Sequence, residues 1–147
     1  MALGDIAALR AHAIDVGSVF KMRLYPEDGV KPKNEGETYR DKRFVIIGKA
    51  QDSVLVGSLL INSEINGNLF TKIGPYQHCI YPDQYEFLDG QERYIDCYKI
   101  FEFDFNRILD TGDYVGQITP NDIGEAIKSA KDSPINNAYT LKKFNLL

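Results

Sequence analysis

Residues 42–63 read KRFVIIGKAQDSVLVGSLLINS. The stretch holds two apolar runs, Phe44 to Ile47 and Val54 to Ile61, separated by the polar Gln51-Asp52-Ser53. Both runs are rich in β-branched residues, which pack well on a pleated surface, so the pair predicts two buried strands joined by a short turn. A helix fits less well, because neither run carries a 3.6-residue stripe and each is marked by a glycine, Gly48 or Gly57. The hairpin is expected at the centre of a sheet. Arg40-Asp41-Lys42-Arg43 enters it and Asn62-Ser63-Glu64-Ile65-Asn66 leaves it, and any chemistry is expected between those ends and the preceding loop.

Upstream, Val16 to Leu24 alternates apolar with polar residues, which predicts a first strand with one solvated side. Before it, Asp5 to Ile14 reads as a short helix, with Asp5 as N-cap, Ile6, Leu9 and Ala13 on one side, and Gly17 as the break. Tyr25 to Asp41 has two prolines, two glycines, many charges and almost no aliphatic residue. It cannot bury surface to offset its ordering entropy, so a long mobile loop is expected, either a functional loop or a plain surface insertion.

Downstream, Asn62 to Pro75 reads as irregular, with Gly67 and Gly74-Pro75 as turn signals. His78 to Ile80 and Tyr85 to Leu88 are expected as short strands split at Pro82, and Leu88-Asp89-Gly90-Gln91 as a hairpin turn. Tyr94 to Phe103 is expected as one strand with a bulge near Tyr98-Lys99, Asp104 to Asp110 as a connecting turn, and Tyr114 to Ile118 as a last strand. Thr119-Pro120-Asn121-Asp122 opens the clearest helix: threonine caps free amides, proline suits the first position, and aspartate meets the positive end of the dipole. Ile123, Ala126, Ile127 and Ala130 form its core-facing stripe. Ser133-Pro134 stops it and is expected to cap a final helix holding Ala138, Leu141 and Phe144. The fold class expected is mainly β with terminal helices, a small, strongly bent sheet or half-open barrel closed by a C-terminal helix. It is read as a single domain over 1–147, with an N-terminal helix at 1–15, a barrel at 16–118 carrying the long loop 25–41, and C-terminal helices at 119–147.

A chain of 147 residues, 44% hydrophobic, is the size of one domain and can bury a core without metals or disulfides. The net charge of −4 argues against a wholly basic nucleic-acid coat while leaving room for a local patch. Charge is uneven: residues 21–49 hold eight Lys/Arg against five Asp/Glu, and residues 83–104 hold two against seven. The two blocks either pair to stabilise the fold or mark a basic functional face. Cys79 and Cys97, in apolar surroundings and without a CxxC or His/Cys cluster, are expected to be reduced core residues. With no stretch approaching a membrane span and no secretory start, the expectation is a cytoplasmic protein that uses no membrane. No HExxH, P-loop or GxSxG is present, Asp96, Glu102 and Asp104 read as turn and surface residues, and no metal or cofactor is expected.

Four local patterns carry a family likeness. They are Gly17-Ser18-Val19-Phe20 followed by Leu24, Pro26 and Gly29; Arg43-Phe44-Val45-Ile46-Ile47; Val54-Leu55-Val56-Gly57-Ser58-Leu59; and a late group. The late group runs Tyr94-Ile95-Asp96-Cys97, Phe103-Asp104, Arg107-Ile108, Val115-Gly116-Gln117-Ile118 and Asp122. In order and spacing these resemble the MazF/PemK family of toxin endoribonucleases over most of residues 16–130. The resemblance implies an SH3-like half-open barrel, cleavage of single-stranded RNA without a metal, a protein antitoxin as partner, and a homodimer. It also implies an arginine from the second strand, matched by Arg43, and a hydroxyl residue after the third, for which Ser63 is the candidate.

Attack of a ribose 2′-hydroxyl on the adjacent phosphate needs a base, an acid for the leaving oxygen, and donors for the extra negative charge. Arg43 or Arg40 suits the charged phosphorane, since guanidinium offers several fixed donors to phosphate oxygens. Ser63 and Asn62 can add neutral hydrogen bonds. His78, the one histidine outside the N-terminal segment, is the candidate base or acid. Lys31, Lys33, Arg40, Lys42 and Asn62 are the candidate RNA contacts, and the aromatic residues between Tyr76 and Phe105 either stack on bases or fill the core. The chain departs from the family pattern at Phe44, where proline is usual, at Val30-Lys31, where a glutamate is common, and at Ile61-Asn62-Ser63, where a Thr-Ser pair is usual. The alternative reading is a non-catalytic barrel of the same kind that binds protein or nucleic acid.

Overall fold

Phe44 to Ile47 and Val56 to Ile61 are buried on two sides, which is why they read as continuous apolar sequence, while Val54 at the start of the second run is exposed. The computed structural model describes residues 13–52, 54–64 and 70–147. The strands in chain order are β1 (Ser18–Leu24), β2 (Arg40–Lys49), β3 (Leu55–Asn62), β4 (Gln77–Ile80), β5 (Arg93–Asp96), β6 (Phe101–Asp104) and β7 (Asp113–Gln117). The helices are α1 (Phe70–Ile73), α2 (Phe105–Thr111), α3 (Pro120–Asp132) and α4 (Ala138–Lys143). The architecture is mainly β: an antiparallel sheet ordered β4-β5-β3-β2-β1-β7, with β6 also paired to β3. β4 and β7 end the order, and no pairing among the described strands joins them.

Successive residues of a strand point to opposite faces. Val45 and Ile47 accordingly join a cluster with Leu59, Ile61 and the helical Ala126 and Leu141, while Phe44 and Ile46 join Leu60, Phe103 and Ile108. Complete burial of each such side chain contributes about 1.5–3 kcal/mol. The C-terminal segment crosses the hairpin where Gly48 pairs with Gly57. A Cβ on Gly57 would come within 2.8 Å of Phe144 Cγ, and one on Gly48 would meet the Phe144 carbonyl, so the ring needs the space at Gly57 and the Phe144 backbone the space at Gly48.

α3 begins as the sequence indicates, with Thr119 Oγ1 accepting from the Asp122 amide and Ile123, Ala126 and Ala130 buried. Several other expectations are corrected. Tyr85 to Leu88 is no strand: Glu86–Leu88 is a 3-10 turn ending at Asp89, whose φ is 55°, and Tyr85 is turned inward to a polar cluster. Tyr94 to Phe103 is two strands, both paired to the same edge of β3. The backbone between them is taken out of the ladder by side chains beyond α3: Ser133 Oγ donates to the Tyr98 carbonyl at 2.5 Å, and the Ile100 amide donates to Asn136 Oδ1 at 3.0 Å. Residues after Asp104 form α2 in place of a turn, because Ile108 has an apolar cluster to enter. α4 is capped by Asn137, whose side chain accepts from the Thr140 amide, and not by Ser133.

The loop after β1 is tied down at its near end rather than free. Pro26–Asp28 forms a 3-10 turn closed by Gly29 at φ 92°, Val30 is buried, and Arg107 grips Asp28 with two hydrogen bonds of 2.6 and 2.8 Å. Residues 33–38 are exposed. The expected N-terminal helix lies outside the described residues except for Ala13 and Ile14, and Ile14 is buried. Both cysteines are free, Cys97 buried and Cys79 half-buried. Among the described residues no helix is long and apolar enough to cross a membrane.

Candidate functional site

β2 begins where β3 ends. The pairing of Arg43 with Ile61 sets Arg40-Asp41-Lys42-Arg43 beside Ile61-Asn62-Ser63, the pairing of Lys21 with Arg43 adds β1, and the pairing of Ile61 with Ile95 brings β5. These ends enclose an open cleft of about 240 Å3 lined by Lys21, Arg40, Asp41, Lys42, Arg43, Ile61, Ser63 and Arg93. Five cations face one carboxylate there. Like charges directly opposite each other weaken a strand pair; Lys21 faces Arg43 on β2 and the carboxylate of Asp113 on β7.

Lys42 is buried, and its Nζ donates to Asn62 Oδ1 across the hairpin. Burial, reinforced by the neighbouring charges of Arg40 and Arg93 and only partly countered by Asp96, brings its pKa from 10.5 down to about 8. Arg43 Nη2 lies 3.6 Å from Asp89 Oδ2, a loose pair with a largely exposed partner. It is also the one ion pair among the described residues that joins the basic block 21–49 to the acidic block 83–104. Pairing between the blocks therefore accounts for little of the charge asymmetry. Arg93 Nε is buried and finds no acceptor among the described residues.

A second cleft, about 490 Å3, adjoins the first and shares Lys21 and Asp41 with it. Met22, Arg23, Tyr25, Arg107, Thr111 and Asp113 complete its lining.

Of the residues singled out from sequence, Arg43, Ser63, Arg40 and Lys42 share the basic cleft, and Asn62 stands at its edge through Lys42. Lys31 and Lys33 lie on the exposed loop and line neither cleft. His78 is not brought to Arg43 and Ser63. It sits on β4 with Nε2 2.8 Å from Asp122 Oδ1, in the first turn of α3. The Tyr85 hydroxyl donates to the other Asp122 oxygen and also accepts from the Thr119 amide at 3.1 Å. Burial pushes the Asp122 carboxyl up, but the hydrogen bonds from Tyr85 and His78 outweigh it and hold the group below its ordinary range.

Sequence reasoning missed Lys21 and Arg93. Lys21 was accessible in principle, since aligning β1 with β2 places it opposite Arg43. Arg93 needed the pairing of β5 with the far end of β3, which no local pattern reveals. Among the described residues no group of three or more His, Cys, Asp or Glu side chains could hold a metal ion. The cleft gathers several cationic side chains at one open surface, a charge distribution chemically suited to an anion. No protein-family model matches the chain, and no curated protein matches it.

Proposed function

We propose that the chain is a toxin-like endoribonuclease of the MazF/PemK kind, an SH3-like half-open barrel closed by its C-terminal helices, cutting single-stranded RNA at the basic cleft. The observation that carries this reading is that Arg43, Arg40, Lys42 and Ser63 line one open cleft. A phosphate there accepts from the Arg43 and Arg40 guanidinium groups and from the Ser63 hydroxyl. The neutral fraction of Lys42, about a tenth at pH 7 for a group titrating near 8, takes the proton of the 2′-hydroxyl. The 2′ oxygen bonds to phosphorus, the bond from phosphorus to the 5′ oxygen breaks, and that oxygen takes a proton from water in the open cleft, whose lost proton the Lys42 ammonium replaces, returning the amine to its starting state. The products end in a 2′,3′-cyclic phosphate and a 5′-hydroxyl. The added phosphorane charge meets fixed guanidinium donors, so no metal is required by this route. The family likeness adds an antitoxin protein, a homodimer and a cytoplasmic setting to the proposal.

The position of His78, outside the cleft and tied to Asp122, favours a second reading in which the same barrel binds RNA or protein without cutting. One experiment separates the two: end-labelled unpaired RNA is incubated with wild type, Arg43→Ala and Ser63→Ala in the presence of a chelator. The enzyme reading expects cutting that Arg43→Ala lowers about 100-fold or more. Retention of intact RNA that Arg43→Ala releases supports the binding module. RNA neither cut nor retained overturns the enzyme reading and the RNA-binding form of the second.

A further inference from the structure

The adjoining cleft differs in character from the phosphate cleft, and most of its polar groups are committed. Arg107 gives two hydrogen bonds to Asp28 and one to the Arg23 carbonyl. Arg23 lies 3.8 Å from the centre of the Tyr39 ring, with its Nε 3.9 Å from Asp41. Tyr25 offers an aromatic wall, its ring centre 6.3 Å from that of Tyr39. Lys21 and Asp113 are not tied in this way, and of the two Asp113 is the acceptor. It opens β7 opposite Lys21, is exposed, and makes no ion pair or side-chain hydrogen bond among the described residues.

We propose that this cleft is the subsite for an unpaired guanine flanking the bound phosphate, stacked on Tyr25 and read by Asp113; the proposal rests on the basic cleft being a site for single-stranded RNA. Lys21 and Asp41 border both clefts, so a nucleotide chain whose phosphate lies at Arg43 continues directly into the second. A space of about 490 Å3 admits a purine. Stacking on tyrosine suits every base, because each has a π face. Selection therefore falls to the carboxylate, which only accepts hydrogen bonds. Guanine presents two adjacent donors, the ring N1–H and the exocyclic amine, one for each carboxylate oxygen. Adenine and cytosine set a ring acceptor beside the amine, which faces the second oxygen with a lone pair. Uracil has a single N–H between two carbonyls. Lys21, between the clefts, meets the phosphate that links the two nucleotides.

The test is fluorescence anisotropy with 2′-fluoro hexanucleotides, which lack the attacking hydroxyl and stay intact. Four have a uridine background and a single central guanine, inosine, adenine or cytosine; the fifth is all uridine. Wild type is expected to bind the guanine hexamer at least about tenfold more tightly than the adenine, cytosine and uridine ones, with inosine between because it lacks the amine. Asp113→Asn is expected to bring the guanine hexamer level with the adenine one, and Tyr25→Ala to weaken all of them in parallel. Equal binding of all five by wild type, lost together in Arg43→Ala, overturns the guanine subsite and leaves the phosphate cleft standing. No binding of any hexamer overturns the phosphate cleft itself.

Discussion

Replacing Lys42 by methionine is expected to make the protein more stable at neutral pH, and the gain is expected to vanish in base. Burial moves this ammonium from 10.5 to about 8, so at about 1.4 kcal/mol per pH unit the charged form costs the folded state roughly 3 kcal/mol at pH 7. Methionine has nearly the same length and no charge to desolvate. It also leaves Asn62 Oδ1 without the Lys42 donor, a loss of about 1 kcal/mol. The net expectation at pH 7 is a gain of roughly 2 kcal/mol for Lys42→Met. The sign with pH follows from the lowered value: the cost is present in full below about pH 8, and fades up to 10.5 as the unfolded lysine also gives up its proton. By pH 10 the wild type recovers roughly 2 kcal/mol relative to the variant. Urea unfolding of both proteins at pH 7 and pH 10 measures this, because the difference between them cancels the other titrating groups. A gap that is the same at both pH values, or a variant less stable than wild type at pH 7, refutes the reasoning.

Gly57→Ala is expected to cost about 1–3 kcal/mol, read in urea unfolding, because its methyl group would sit 2.8 Å from Phe144 Cγ; combining it with Phe144→Ala should cost less than the two single changes added together. Asp28→Asn is expected to cost about 1–2 kcal/mol at pH 7, since it breaks the two-pronged bond to Arg107. Hydrogen bonding to Arg107 holds the Asp28 carboxyl below its usual 3.8, so the wild type has this stability above that pH and loses it as pH falls through the lowered value. The Asn variant should therefore show a shallower fall in melting temperature below pH 4. His78→Ala is expected to lower the melting temperature through loss of the Asp122 bond while RNA cutting stays within about twofold; a 100-fold loss of cutting would remove Lys42 from its assigned role.

Where a signal is local, the sequence carries it. The β2–β3 hairpin follows from branched residues around Gln51-Asp52, and the start of α3 from Thr119-Pro120. The register of that hairpin was enough to bring Arg43 and Ser63 to one cleft. What stayed hidden depends on distant partners. The break between β5 and β6 exists because Ser133 and Asn136, more than thirty residues away, take the backbone groups of Tyr98 and Ile100. The anchoring of the long loop depends on Arg107, which lies in a helix whose formation is decided by the apolar cluster under Ile108. His78 drew notice as a lone imidazole, but its surroundings are set by the crossing of α3 over β4, which composition does not disclose.

The most direct measurement compares two labelled RNA strands that differ only in one ribose, the 2′-hydroxyl at the observed cutting position being replaced by hydrogen in the second. Wild type is expected to cut the first strand to a 2′,3′-cyclic phosphate end, and to bind the second with similar affinity while leaving it whole. Cutting of the deoxy-substituted strand at that position, or failure to bind either strand, would contradict a phosphate cleft built from Arg40, Lys42, Arg43 and Ser63 that acts through the neighbouring hydroxyl.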